Sequence, residues 1–227
     1  MVPLVTLSIW GVPARAVPAA LGRMALDPLL LRRGPARFSR LLGTGRGRTF
    51  TVRDADPRHW ALLTTWDDEA AAAAFEDSAT VRGWDRIAEE RLHVVLRPLA
   101  SRGRWAGREP FGEPVPRRVT GPVASITRAR VRTRSLLTFH RAVPPVAVDL
   151  HRVGGLRLAI GIGEAPVGLQ GTFSLWDDDA ALQEFAHRRA AHAEVVRRTG
   201  AEGWYGEELF ARFEVLGAHG TLGSYRA

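Results

Sequence analysis

The sequence predicts an α+β fold in which one β-α-β-β-α-β unit is written twice and the copies close into a single eight-stranded barrel. Three observations predict it. Two stretches 110 residues apart read almost alike: Trp66-Asp67-Asp68-Glu69-Ala70-Ala71 closing on Phe75, and Trp176-Asp177-Asp178-Asp179-Ala180-Ala181 closing on Phe185. Each follows an apolar, strand-like run (HWALLTT, LQGTFSL) and opens a helix-like one. A further apolar strand lies beyond each, from Leu92 and from Leu209.

The first copy starts with a short strand, VTLSIW, at Val5. Between Val17 and Leu31, Leu21, Met24, Ala25, Pro28 and Leu29 recur at three-to-four spacing and predict a helix, which Pro28 should kink or stop. Strands follow at Phe38 to Gly47 and at Arg58 to Trp66. Asp67 or Asp68 is the N-cap candidate for a helix running toward Glu90, with a break expected near Gly83. The Gly- and Pro-rich RGRWAGREPFGEPVPRRVTGP reads as a linker. It puts the boundary between two ferredoxin-like repeats at residues 1–117 and 118–227. The second copy opens at Val123 and has a short helix around Ser135 to Arg141 before Pro144 and Pro145. Strands GLRLAIGIG and LQGTFSLW come next, then a long helix from Asp177 to Gly200 and a last strand, LFARFEVLG. The open sheet face of one such unit is too apolar to stay wet, so two copies bury theirs against each other and form a tandem barrel within one chain. A ligand cavity is expected between sheet and helices.

Composition narrows the chemistry. The 227 residues include no cysteine, which removes disulfides, thiolate catalysis and Cys-ligated haem or iron–sulfur clusters. No apolar run reaches the roughly 20 residues of a membrane span, and the N-terminus lacks a basic signal-type region; a cytoplasmic location is the default expectation. The formal charge is +8, and all 32 basic residues are arginine, the mark of a GC-rich genome. They are scattered through both copies, so nucleic-acid binding is not expected. An arginine-rich surface could equally hold anionic lipid headgroups or acidic substrates, so peripheral membrane contact stays open.

The copies differ in two informative ways. The offset grows from 110 at the tryptophans to 117 at the last strand, so the second copy carries about seven extra residues between them. That enlarged piece, AHRRAAHAEVVRRTGAEGWYGEE, holds His187 and His192. On a helical wheel His192 falls on the apolar stripe with Phe185, Val195 and Val196, whereas His187 lies among Arg188 and Arg189. His192 reads either as a core histidine bonded to a backbone carbonyl or as a proximal ligand to haem iron. The second difference-tolerant signal is glycine alternation, Gly43, Gly45 and Gly47 in one copy, Gly161 and Gly163 in the other. Each set clears one strand face, for a flat or elongated ligand or for a bulge. No nucleophile elbow, zinc-protease motif or dinucleotide fingerprint is present. The paired aspartates read as helix caps.

The blocks GRMALDPLLLRRGP, LLGTGRG, HWALLTTW, RGRWAGREPF, ASITRARVR, LAIGIGEAP, GTFSLWDD and HAEVVRRTGAEGWYGEELFARFEVLG, in this order, resemble the spheroidene monooxygenase family of carotenoid ketolases. The resemblance implies haem b as cofactor, O₂ insertion into a hydrophobic carotenoid-like substrate, and electrons from a ferredoxin-type donor. It places the axial iron ligand at His192 and matches Arg128, which would hold a haem propionate or polarise iron-bound oxygen. An ordinary solvent-facing strand arginine is the other reading of Arg128. The sequence departs from the family at Arg48-Thr49 and over Arg141 to Gly155, regions that could shape the substrate cavity. Two other readings stay open: a haem-dependent lyase or dehydratase acting on a nitrogen compound, and a cofactor-free ligand-binding barrel.

Overall fold

A computed structural model describes residues 3–46, 52–150, 153–164, 169–188, 197 and 202–227. The first half runs β1 (Leu4–Gly11), α1 (Val17–Leu31), β2 (Phe38–Gly45), β3 (Ala55–Trp66), α2 (Glu69–Glu76), α3 (Ala79–Asp85) and β4 (Glu90–Gly103). The second runs β5 (Val123–Val131), α4 (Leu136–Leu150), β6 (Leu156–Gly163), β7 (Leu169–Trp176), α5 (Asp179–Arg188) and β8 (Tyr205–Leu222), with a two-residue β9 (Tyr225–Arg226) turning back on β8. The sheet order is β4-β1-β3-β2-β6-β7-β5-β8, and β8 pairs back with β4, so eight antiparallel strands close into a barrel. Closure leaves no free edge among them.

Alternation along each strand sorts side chains into two layers. Val5, Leu7 and Ile9 of β1, Leu92, Val94 and Leu96 of β4, Ala124 and Ile126 of β5, and Phe173 and Leu175 of β7 point into the barrel and fill it. Two aromatic residues from the connection, Trp105 and Phe111, enter the same core; Phe111 meets Phe213 edge-on at 4.9 Å. The inward faces of both halves are therefore one packed interior, worth roughly 1.5–3 kcal/mol for each large side chain taken from water.

The twin aspartate motifs do what capping chemistry requires. Asp68 Oδ1 accepts from the Ala71 N–H at 2.7 Å and Asp178 Oδ1 from the Ala181 N–H at 2.9 Å, so the second aspartate is the cap in each copy. The helix after Asp68 breaks at Asp77-Ser78 and not at Gly83, because the Ser78 hydroxyl accepts from the Val81 N–H and starts a new helix. Gly83 lies inside α3, where a side chain would run into the Arg23 guanidinium of α1. Pro28 does not end α1, which continues to Leu31. The second-half helix is also longer than expected: α4 runs through Pro144 and Pro145 to Leu150. Its ends are held by burial of Phe139 and Leu150 against the sheet, which outweighs the missing proline donors. Of the long helix expected from Asp177 to Gly200, α5 is described to Arg188. Among the described residues no helix is long and apolar enough to cross a membrane.

Candidate functional site

The two halves repeat not only an element order but a register. Trp66 pairs with Leu4 in one half and Trp176 with Val123 in the other; each tryptophan packs on the phenylalanine of the following helix, Phe75 at 5.0 Å and Phe185 at 5.6 Å. Positions can therefore be compared strand by strand. On the helix-facing side of the first half, the cross-strand pairs Trp10–Trp60 and Leu41–Leu62 form a continuous apolar layer. Trp84 of α3 closes it, stacked on Trp10 at 5.5 Å and tilted against Trp60 at 6.3 Å.

The same pairs in the second half are Ala129–Gln170 and Gly161–Thr172. Two indoles and two leucines are thus exchanged for a methyl, an amide, a hydroxyl and a hydrogen. Ser125, Thr127 and Ser174 continue this floor on the same side. The apolar contacts with the helix layer split around it: Val123, Leu150, Val153, Trp176 and Leu182 lie to one side, Val131, Phe139 and Trp204 to the other. Both glycine sets meet at its edge, where Gly43 pairs with Gly163 and Gly45 with Gly161 across the β2–β6 seam joining the halves. This hydroxyl-lined floor between two aromatic clusters therefore carries smaller and more polar side chains than its first-half counterpart.

Arg128 stands next to this floor but on the opposite side of β5, turned into the end of the barrel with Ala124 and Ile126. It is 3% exposed, not solvent-facing. Its Nη2 donates to Glu164 Oε2 at 2.7 Å, its Nη1 donates to Glu207, and its guanidinium lies 5.5 Å from the Trp105 ring centre. Glu164 also accepts from Arg40 Nε at 2.9 Å, so an Arg40–Glu164–Arg128–Glu207 chain links β2, the end of β6, β5 and β8. Glu207 also accepts from the Ala106 and Gly107 N–H groups at 3.0 and 2.7 Å. Burial pushes its carboxyl up, but these backbone donors and Arg128 outweigh burial and hold it below the usual glutamate range.

In the first half the corresponding carboxylate is Glu90. It accepts from the Gly223 N–H at 2.8 Å and lies 3.0 Å from His59 Nε2, while His59 Nδ1 is 2.8 Å from Asp56 Oδ2. Among the described residues, no group of three His, Asp or Glu side chains is gathered as a metal site.

The structure thus brings Gly161 and Gly163 to the floor and sets Arg128 behind it. His192 lies outside the described residues. Sequence reading missed Ala129, Gln170 and Thr172, although the 110-residue offset already aligns Trp60 with Gln170 and Leu62 with Thr172.

No family model matches the chain. It is 34% identical over 227 residues to the spheroidene monooxygenase of Rhodobacter capsulatus, covering 96% of this chain and 92% of that protein. The chain belongs to the spheroidene monooxygenase family. The member from Rubrivivax gelatinosus is 39% identical over 188 residues, covering 82% of this chain and 71% of its own. The member from Cereibacter sphaeroides is 34% identical over 203 residues, and the chain spans 62% of its length. Two solved structures share the fold. Aldoxime dehydratase superposes with a TM-score of 0.61 at 13% identity, covering 94% of this chain and 81% of that one. A butyraldoxime complex of aldoxime dehydratase gives 0.55 at 14% identity, covering 94% and 79%.

Proposed function

We propose that this member of the spheroidene monooxygenase family is a haem-dependent monooxygenase that oxidises an apolar, carotenoid-like substrate with O₂. The halves, residues 1–117 and 118–227, are read as tandem ferredoxin-like units, and only the second accommodates haem b. The carrying observation is the exchange of Trp10–Trp60 and Leu41–Leu62 for Ala129–Gln170 and Gly161–Thr172 at matched register. Relatives named spheroidene monooxygenase support the reaction class and the substrate class.

The described residues fit a flat group on the helix-facing floor. Gly161 and Gly163 admit it close to the backbone, Thr127 and Thr172 offer hydroxyl donors, and the Trp176–Phe185 and Phe139–Trp204 walls keep water out. His192, on the segment after α5, is the residue proposed to hold the iron, and haem bound there supplies electron-transfer and oxygen chemistry. Arg128 acts as a positioning residue: by holding Glu164 it fixes the end of β6, whose glycines form the floor. Electrons would come from a ferredoxin-type donor, in a cytoplasmic setting.

An absorption spectrum of protein purified from haem-supplemented cells tests the reading. A Soret band that His192→Ala removes supports it; no band after haem addition overturns it. The lyase or dehydratase alternative rests on fold likeness alone, and turnover without O₂ and reductant is the result that would favour it. Binding of an apolar ligand by a haem-free protein would favour the cofactor-free barrel.

A further inference from the structure

Helix α1 buries Ala20 and Leu31 in the core yet keeps a second apolar face outward. Its two charged residues face the protein: Asp27 is 4% exposed and accepts from Arg23 Nη1 at 3.1 Å, and the Arg23 guanidinium lies against Gly83 of α3. Its solvent side carries Leu21, Leu26, Leu29 and Leu30, each more than half exposed, joined by Pro18, Ala19, Gly22 and Ala25. On a wheel of 100° per residue these eight positions fill one continuous half of the helix, with no charge among them. Isolated surface leucines need no explanation, but four on one helical face form a contiguous patch of the kind that marks an interaction site.

The surroundings are cationic. Arg32 and Arg33 follow directly at the C-terminal end and are exposed, and Arg15, its side chain 83% exposed, precedes the N-terminal end, with Glu89 3.9 Å away. Beyond the C-terminal end a groove of about 640 Å³ runs between Pro28 and Leu31 of α1, β2, and Arg108 of the connection, and ends at Glu164.

We infer that α1 is a membrane-surface helix that lays Leu21, Leu26, Leu29 and Leu30 into the headgroup region of an anionic bilayer, with Arg15, Arg32 and Arg33 on the lipid phosphates. An apolar helical face with arginines at its ends matches such a surface in both hydrophobicity and charge. A second copy of the chain fits less well, because apposing two such faces would bring like-charged arginines together. The groove lies beside the C-terminal end of the docked helix. Only the further step, that an apolar substrate enters there, rests on the proposed function.

The test is co-sedimentation of the full chain with vesicles of phosphatidylcholine alone or mixed with phosphatidylglycerol. The parent protein is expected to bind the mixed vesicles, more weakly at high salt. Leu26→Glu with Leu29→Glu, both already solvent-exposed, should weaken binding about tenfold or more while leaving the circular dichroism unchanged. Arg32→Glu with Arg33→Glu should remove the preference for anionic lipid. Failure of the parent to bind, or unchanged binding by the leucine variant, overturns the inference. So does a dimer that the leucine variant splits while neither protein binds vesicles, since the face is then covered by a second copy. Equal binding to neutral vesicles overturns the role of the arginines.

Discussion

Arg128 holds on β5 the register position that Ile9 holds on β1. Each stands five residues beyond the partner of its half's anchoring tryptophan, Val123 opposite Trp176 and Leu4 opposite Trp66, and each points into the barrel. At one end of the interior an aliphatic side chain is thus replaced by a buried cation held between Glu164 and Glu207. Such a pair is not a strong source of net stability, because desolvating the charges cancels much of their attraction. Removing one partner is costly all the same. Arg128→Met should lower stability by about 3 kcal/mol, read as a shift of the urea midpoint at constant slope. The loss in the Arg128→Met, Glu164→Gln double variant should be smaller than the sum of the two single losses, since the two side chains share one bond. An unchanged midpoint in Arg128→Met would show that water reaches the site.

Filling the second-half floor with the first half's side chains should block a flat ligand without unfolding the chain. Gly161→Leu with Thr172→Leu recreates the Leu41–Leu62 pair in a register that already accommodates it once. The double variant is expected to keep its circular dichroism and melting cooperativity, while haem titration followed at the Soret band shows at least about a tenfold loss of affinity, or roughly 1.4 kcal/mol. Full haem affinity in this variant would place the cofactor elsewhere.

What was legible in the sequence was local chemistry and its repetition. Trp66 and Trp176 mark matched strand ends, and Asp68 and Asp178 cap the helices that follow, because a carboxylate over free N–H groups needs only three residues of context. The environment of Arg128 was not legible. Strand alternation groups it equally with buried Ile126 and exposed Arg130, and its partners lie 36 and 79 residues away. The length of α4 escaped for a similar reason: tertiary burial of Phe139 and Leu150 overrides the local signal of Pro144 and Pro145. The outward face of α1 was hidden because three-to-four spacing shows that a helix has an apolar stripe, not which way the stripe turns. The burial of Ala20, Leu31 and the Arg23–Asp27 pair decides that.

The first half should respond to truncation as an ordinary core. Trp10 is fully buried, stacks on Trp84 and donates from Nε1 to Asp85 Oδ1 at 2.7 Å. Trp10→Ala leaves a cavity and an unpaired acceptor, and should cost about 3–5 kcal/mol in chemical denaturation. A loss well below that range would mean that α3 collapses onto β1 and that the aromatic layer is softer than its packing implies.

The Asp56–His59–Glu90 cluster should make stability fall as the solution turns alkaline. Hydrogen bonding to Asp56, helped by Glu90 and opposed by partial burial, raises the His59 pKa above its ordinary 6.5. A group whose folded value is raised stabilises fully below its unfolded value, and this contribution disappears as pH climbs through the folded one. Asp56 has the opposite sense: its bond to His59, opposed by burial, holds it below the ordinary 3.8, so its contribution is present above that value and lost in acid. His93 works against His59 over part of this range, since burial lowers its pKa and the unfolded chain takes up a proton near 6.5 that the folded chain refuses. The two histidines can be separated by subtraction. Urea midpoints measured across pH for the parent and for His59→Gln should differ most between about pH 3.8 and 6.5 and converge as pH climbs through the raised His59 value, with His93 contributing equally to both curves. A difference that stays constant through that climb would mean that His59 is neutral in the folded protein and bonds its carboxylates through one nitrogen only.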